Sequence, residues 1–291
     1  MAIADGPVRR IGPEERRSHL GVRHHLASSA RAAGVVEVAR DVIGLHATDP
    51  ASVFLAAWAR MQHAEVEAIE HALYEERSLL KMLGMRRTMF VVPIELVPVI
   101  QAACKKVLVV RERVQLVQLL EEAGIVTDGG GWLRRVEEAT VQALSARGQA
   151  YGGELSEYVP ALREQMQFGE GTRWEGVQGV STRVLYLLSA EGRIARGRPR
   201  GSWISSQHRW VPMEAWLPGG VAEWTTDVAR VELVRRWLAA FGPGTLADLR
   251  ASASTRALGS AASGAGPDGH GMDRARVVPR RSRRRPVRSI R

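Results

Sequence analysis

Apolar residues recur at three- and four-residue spacing on both sides of a short polar break near the start of the chain. Val35, Val38, Val42 and Leu45 mark one helical stripe; Val53, Phe54, Ala57, Trp58 and Met61 mark the next. Between the stripes runs Gly44-Leu45-His46-Ala47-Thr48-Asp49-Pro50. Asp49 suits the cap of the second helix, where its carboxylate can accept a free N–H. Pro50 suits the first helical position, because the N–H it lacks would be unpaired there. The pattern places His46 and Thr48 in the last turn of one helix, or in the loop after it, facing the positive end of the next helix dipole. A water could be held and polarised at such a place.

Downstream, Val66, Ile69 and Leu73 predict a helix running on toward Leu80 and Met82, and Met85 to Val92 reads as a strand stopped by Pro93. A long helical pattern follows from Ile94 through Val107, Val110, Val114, Val117 and Leu120, kinked or restarted near Pro98. Thr127-Asp128-Gly129-Gly130-Gly131 reads as a linker. Beyond it come a helix over Trp132–Ala146 ended by Gly148, a short helix over Glu154–Leu162, and a helix over Gln178–Ala190 closed by Gly192. Two β-like runs, Arg193–Arg196 and Trp203–Val211, then flank Gly197-Arg198-Pro199-Arg200-Gly201. Three helices followed by a hairpin is the order of a winged helix.

A third unit opens with Val228, Val231, Val234, Trp237, Leu238 and Phe241 on one amphipathic helix, stopped by Gly242-Pro243-Gly244. Thr245 can cap a following helix over Leu246–Arg250. From Ala251 the chain turns to Ala, Ser, Gly, Arg and Pro, a composition that buries too little surface to offset its ordering entropy. The expected organisation is a first winged-helix-like unit over 1–127, a second winged helix over 128–220, the start of a third over 221–250 and a basic disordered tail over 251–291. The tail reads either as an arm holding DNA phosphates or as the product of truncation or out-of-frame translation. The second is favoured because the switch falls inside a structural unit. Without further partners, the apolar face of the 228–241 helix is expected to be exposed and its unit destabilised.

Charge changes the picture only locally. The chain carries +10, but ten arginines against two aspartates put +8 of it after residue 250, leaving +2 for the first 250 residues. The body is nearly neutral, so the whole-chain charge is weak evidence for nucleic-acid binding. Cys104 is the single cysteine, which excludes an internal disulfide and a cysteine-built metal site; its apolar neighbours suggest a buried thiol. No apolar run reaches membrane-spanning length and no signal-like segment opens the chain, so a cytoplasmic, nucleoid-associated monomer without membrane contact is expected. His19, His24, His25 and His71 form no metal-ligand spacing, and Glu37, Asp41, Glu121 and Glu122 read as solvated helix faces. No metal or organic cofactor is expected.

The residues suited to phosphates sit in three places. On the hairpin are Arg193, Arg196, Arg198, Arg200 and Arg209, with Trp203 and Trp210 interleaved; the alternative is a solvated hairpin with its tryptophans on the core side. Gln178, Ser181, Thr182 and Arg183 gather near the start of the 178–190 helix, where ordinary capping is the competing role. Arg86, Arg87 and Thr88 open the first-unit strand and could meet a phosphate or serve as edge charges that discourage aggregation.

Three segments carry a family resemblance. Val42 to Pro50 with Leu55-Ala56-Ala57-Trp58-Ala59-Arg60, Met85-Arg86-Arg87-Thr88-Met89-Phe90-Val91-Val92-Pro93, and Phe241-Gly242-Pro243-Gly244-Thr245-Leu246-Ala247-Asp248-Leu249 together resemble the winged-helix DNA glycosylases, a family that includes azinomycin-resistance and interstrand-crosslink glycosylases. The similarity spans residues 16 to 250. It implies a mainly α fold with small β-hairpins (α+β), built of tandem winged helices around a DNA channel, here with the third unit incomplete and the family's C-terminal β-barrel missing. It also implies double-stranded DNA as partner, and metal-free hydrolysis of the N-glycosidic bond of alkylated purines, crosslinked ones included. The family's catalytic Gln-x-Gln or Gln-x-Asp falls on His46-Ala47-Thr48, so this chain departs at both positions. His46 can accept a proton near neutrality and Thr48 can hydrogen-bond the same water with a shorter reach. The alternatives are a non-catalytic winged-helix DNA-binding or regulatory protein, with His46 only packing between helices, and an inactive truncated relative.

Overall fold

The computed structural model describes residues 11–168 and 176–253. In chain order the elements are α1 (Pro13–Arg23), α2 (Val35–Asp41), β1 (Leu45–His46), α3 (Pro50–Trp58), α4 (Val66–Glu70, continued as a wider turn His71–Glu75), β2 (Leu79–Leu83), β3 (Met89–Pro93), α5 (Val97–Ile100, continued through Gln101–Lys105) and α6 (Lys106–Glu122). There follow α7 (Gly129–Arg147), α8 (Gly152–Tyr158), β4 (Gln165–Phe168), β5 (Gly176–Gly179), α9 (Val180–Glu191), β6 (Ile194–Pro199), β7 (His208–Pro212), α10 (Met213–Trp216), α11 (Thr226–Phe241) and α12 (Leu246–Ala253). The described residues are mainly helical with small antiparallel sheets, the α+β class expected from the pattern. Helices α7, α8 and α9 followed by the β6–β7 hairpin keep the order read from the sequence. The pair β4–β5, which no periodicity announced, stands between α8 and α9. All but the first three residues of the expected tail lie outside the described residues; those three complete α12.

Several local expectations are corrected. Leu45 and His46 are neither in a helix nor in a loop but form an edge strand paired with Val91 and Phe90 of β3. The helix begun at Val66 stops at Glu75, and Leu79–Leu83 is a strand, its register running Leu79↔Pro93 to Leu83↔Met89. Met85–Arg87 is not strand either. It forms a tight helical turn in which Arg86 and Arg87 take left-handed conformations, φ 56° and 57°. The predicted linker at Gly129–Gly131 is the first turn of α7, capped by Asp128 Oδ1 accepting from Gly131 N at 2.8 Å. Glycine is required there by close approach, since a Cβ on Gly129 would lie 2.9 Å from Val117 O. Gln178 belongs to β5, not to the helix after it. Trp203 lies in the loop between β6 and β7 rather than on a strand.

The three-stranded sheet, in the order β1–β3–β2, separates two cores. Leu79, Leu83, Met89, Val91 and Leu45 point one way, onto Val53, Phe54 and Ala57 of α3 and Val35, Val38 and Ala39 of α2. Leu80, Met82 and Val92 point the other way, onto Val97 and Ile100 of α5 and Trp216 of α10. Alternation along paired strands produces this division, and the central β3 is apolar on both faces as a doubly covered strand must be. A third core gathers Leu116, Leu133, Leu144, Leu155, Val184 and Leu188 of α6 to α9.

The expectation that the apolar face of the 228–241 helix lacks partners is corrected for Trp237 and Phe241, which pack into the core. Ala229, Leu233, Trp237 and Ala240 of α11 are buried against the α5 region in the core beneath the sheet. The free carbonyls at its C-terminal end are bonded by α1 and the residue after it. Arg23 Nη1 donates to Gly242 O at 2.6 Å, Arg16 Nε to Pro243 O at 3.2 Å, and His24 Nε2 lies 3.0 Å from Ala240 O. Cations at a helix C-terminus satisfy orphan carbonyls and oppose the dipole. Only Val228, Val231 and Leu238 of the apolar stripe stay exposed.

Candidate functional site

The chain leaves α2 through an abrupt turn. Gly44 N donates to Ala39 O at 2.6 Å, Ile43 has φ 60° and Gly44 φ 105°. A Cβ at Gly44 would lie 2.8 Å from Val92 Cγ1, so glycine is needed for both conformation and space. Ile43 is a β-branched residue in the left-handed region, a costly conformation held in place because its side chain is buried. This strained turn delivers His46 to the edge of the sheet, immediately before the cap of α3. There Asp49 Oδ2 accepts from Ser52 N and Ser52 Oγ, each at 3.0 Å.

His46 and Thr48 are both exposed, and His46 Nε2 lies 3.3 Å from Thr48 Oγ1. The imidazole meets the Phe90 ring edge-on, with centroids 5.5 Å apart and an interplanar angle of 87°. Ala47 between them is buried and its N–H donates to Met89 O at 2.8 Å, which fixes the backbone while both neighbouring side chains face outward. A ring nitrogen and a hydroxyl are thus held side by side in solvent, an arrangement that can orient one water or share one proton.

The same end of the sheet carries the β2–β3 turn with exposed Arg86 and Arg87. Glu112 of α6 ties this turn to α9, lying 4.0 Å from Arg87 Nη1 and 3.6 Å from Arg183 Nη2 at the start of that helix. Ser181 is half-buried two residues earlier on α9, and Gln178 is half-buried near the end of β5. Glu112 thus brings Arg87 and Arg183 together from distant segments, while His46 and Thr48 lie toward the same end of the sheet as the Arg86–Arg87 turn.

The hairpin arginines divide differently. Arg198 is paired with Glu70 at 2.6 Å and Glu75 at 3.0 Å and stands over the Tyr74 ring. Arg193 is bonded to Glu138 at 2.7 Å. Arg196 is largely enclosed over Trp210, its Nε has no hydrogen-bond partner among the described residues, and burial lowers its pKa. Arg200 is exposed beside Tyr151, which Arg209 also approaches. Of the two interleaved tryptophans, Trp210 is buried and Trp203 packs on Phe54 of α3 at 4.6 Å, so both serve the core. The hairpin and its loop pack on α3 and the α4 region, where the charge of Arg198 is neutralised.

Sequence reasoning missed three contributors. Lys81 of β2 is the one polar residue in Leu79-Leu80-Lys81-Met82-Leu83 and lines a small cavity with Phe54, Trp203 and His208. Burial, then the nearby Arg196, lowers its amine to about 8, opposed by Asp49. Its isolation in an apolar run is the available signal, and the period of that run does not separate strand from helix. Glu112 and Phe90 gave no local sign. Among the described residues, His25, Glu37 and Asp41 offer three ligand atoms within 4.8 Å of one another. Both His25 nitrogens are already engaged, by Ala30 O and Asp41 Oδ2 at 2.8 Å each, and Glu37 accepts from Ala33 N. Among the described residues no helix is long and apolar enough to cross a membrane.

The chain is mainly helical, with small antiparallel sheets and an outward-facing polar pair at a strand edge. Residues 39–266 match the family model "DNA glycosylase AlkZ-like", and the chain belongs to that family. Among solved structures it is similar to Streptomyces sahachiroi DNA glycosylase AlkZ, with a TM-score of 0.55 at 16% identity, covering 79% of this chain and 58% of that one. The likeness is one of fold, and the chain spans a little over half the length of that structure. No curated protein matches the chain.

Proposed function

We propose that this protein binds double-stranded DNA and hydrolyses the N-glycosidic bond of alkylated purines, including those joined in interstrand crosslinks. The observation that supports the reading is the His46–Thr48 pair, exposed and 3.3 Å apart, at the position the family uses for its catalytic residues. In this mechanism the two side chains orient a water toward the anomeric carbon. The water oxygen forms the new C–O bond as the C–N bond breaks, and the bond electrons neutralise the cationic alkylated base. The water's proton passes to His46 or to solvent. An N7-alkylated purine leaves readily, so positioning supplies most of what is needed. Arg86, Arg87 and Arg183 hold backbone phosphates on either side, and exposed Arg200 extends the track.

A second reading has its own observation. His46 and Thr48 replace both glutamine-type residues of the family slot, and a chain with the slot altered would bind DNA as a winged-helix protein without cutting a bond. Base release from duplex DNA containing N7-methylguanine, measured for wild type, His46→Ala and Thr48→Ala, separates the two. Release that falls in both variants supports hydrolysis. Retained DNA binding with no release by the wild type establishes the second reading.

A further inference from the structure

A cleft of about 400 Å³ between α1, the C-terminal end of α2 and α11 is lined by Arg23, Arg40, Asp41, Arg235 and Arg236. None of its four arginines belongs to the groups expected to hold phosphates, because they are scattered along the chain. Each guanidinium is fixed by the protein on one side. Arg40 Nε donates to Glu95 Oε1 at 2.7 Å, Arg236 Nε to Glu232 Oε1 at 2.6 Å, and Arg23 Nη1 to Gly242 O at 2.6 Å. Arg235 donates to Glu232 through Nε and Nη2. Among the described residues no acceptor meets Nη1 and Nη2 of Arg40 and Arg236, or Nε and Nη2 of Arg23. Three arginines therefore keep a two-donor edge, the fork that matches two oxygens of one phosphate. Being held already, they lose less freedom on binding than unrestrained side chains would.

The acids nearby do not cancel the site. His25 Nδ1 faces Ala30 O and Nε2 faces Asp41 Oδ2, each at 2.8 Å. A carbonyl only accepts, so Nδ1 carries one proton and a second lies between Nε2 and Asp41, which makes the His25–Asp41 pair neutral as a whole. With Glu37, Glu95 and Glu232 counted against the four guanidiniums, the surroundings keep a charge of +1. Ala239 and Ala240 supply the apolar part of the lining, so nothing seats a base or a sugar, and phosphate is the group the cleft can recognise. Its position suits a polymer. The Arg40–Glu95 pair closes just past the Pro93 end of β3, and His46 stands opposite Phe90, about 10 Å back along that strand at roughly 3.3 Å per residue. Arg86 and Arg87 lie beyond the other end of β3. A duplex with its reacting nucleotide at His46 would meet arginines in both directions, since phosphates of one strand advance about 3.4 Å along the axis.

We propose that this cleft holds a backbone phosphate of duplex DNA, a contact additional to those of Arg86, Arg87, Arg183 and Arg200. It rests on the DNA-binding part of the function proposed above. The test is fluorescence anisotropy of the full chain on an unmodified duplex across a salt series, with calorimetric titration of inorganic phosphate alongside. Arg40→Gln and Arg236→Gln are each expected to weaken duplex binding and to flatten the slope of log affinity against log salt by about 0.9. Arg40→Lys keeps the charge without the fork, and should keep the slope while losing affinity. Arg135→Gln, at an exposed position of α7 outside the cleft, should change neither. The Arg40 side chain is 48% exposed and its ion pair lies at the surface, so melting temperatures should hold and separate lost binding from lost folding. Duplex binding by the wild type with the same affinity and slope in both glutamine variants overturns the cleft and leaves the proposed function standing. If the wild type binds no duplex but binds inorganic phosphate, and Arg40→Gln does not, then the proposed function and the duplex as source of the phosphate both fail.

Discussion

His46 Nε2 lies 3.3 Å from Thr48 Oγ1, with the buried Ala47 pinned to β3 between them. The spacing of two residues places both side chains on the outer side of a strand edge that continues toward a helix cap. Because both are exposed, their replacement should leave the fold intact. His46→Ala is expected to lower base release from N7-methylguanine DNA by about 100-fold, in the lower part of the range for positioned acid–base groups, and Thr48→Ala by less. Single-turnover excision checks this, with melting temperatures unchanged. Excision at wild-type rate by His46→Ala would remove the residue from the mechanism.

Arginine number and phosphate binding should separate in salt titrations. Arg87→Ala and Arg183→Ala each remove a charge that faces the same carboxylate, and each should flatten the slope of log affinity against log salt by about 0.9, the value for one duplex phosphate contact. Arg198→Ala should leave the slope unchanged, because Glu70 and Glu75 already neutralise that side chain. It should instead lower thermal stability by about 1 kcal/mol. Fluorescence anisotropy with an unmodified duplex across a salt series tests all three.

Trp237 anchors α11 beneath the sheet, next to Leu233 and Ala240. Trp237→Ala is expected to destabilise the chain by roughly 3–5 kcal/mol in denaturant titration, as for other large buried aromatics. A chain ending at residue 220 would expose the facing surfaces of Val97 and Ile100, and is expected to melt lower and digest faster than the full chain. Equal protease resistance of the two would contradict the burial of α11.

The His208 imidazole is held down to about 4 from an ordinary 6.5 by burial and then by Arg196 and Lys81, against the opposing bond to Ser206 O. A base with a depressed folded pKa binds its proton first in the unfolded chain. Stability contributed here is therefore intact above about pH 6.5 and is lost progressively as pH falls toward 4, amounting to on the order of 3 kcal/mol. His208→Asn keeps a donor for Ser206 O and removes the titration. Unfolding free energies measured between pH 4 and 7 should show a shallower acid loss for the variant; parallel profiles would exclude His208 as the source.

Much of the architecture was legible locally. The cap at Asp49, the proline after it, the β-rich run into Pro93, the helix order before the β6–β7 hairpin and the amphipathic stripe of α11 all follow from spacing and backbone chemistry. The errors share a cause. Leu79–Leu83 is apolar on both faces, so its period could not separate a doubly covered strand from the end of a helix. Gly129–Gly131 resembled a linker because nothing nearby in sequence shows that Val117 crowds that turn. Arg198 counted as free charge because Glu70 lies 128 residues away.

The sequence by itself determined where most of the helices and the β6–β7 hairpin fall, where two of the caps fall, and that a polar pair interrupts an apolar pattern before α3. Those features depend on neighbours within a few residues, where backbone geometry and periodicity decide. Only the tertiary structure decided that His46 stands on a sheet edge, that Glu112 joins Arg87 to Arg183, that the hairpin arginines are partly neutralised, and that α11 has a partner for its apolar face. Burial and ion pairing are properties of surfaces brought together from distant parts of the chain, and no local period records which surface will meet which.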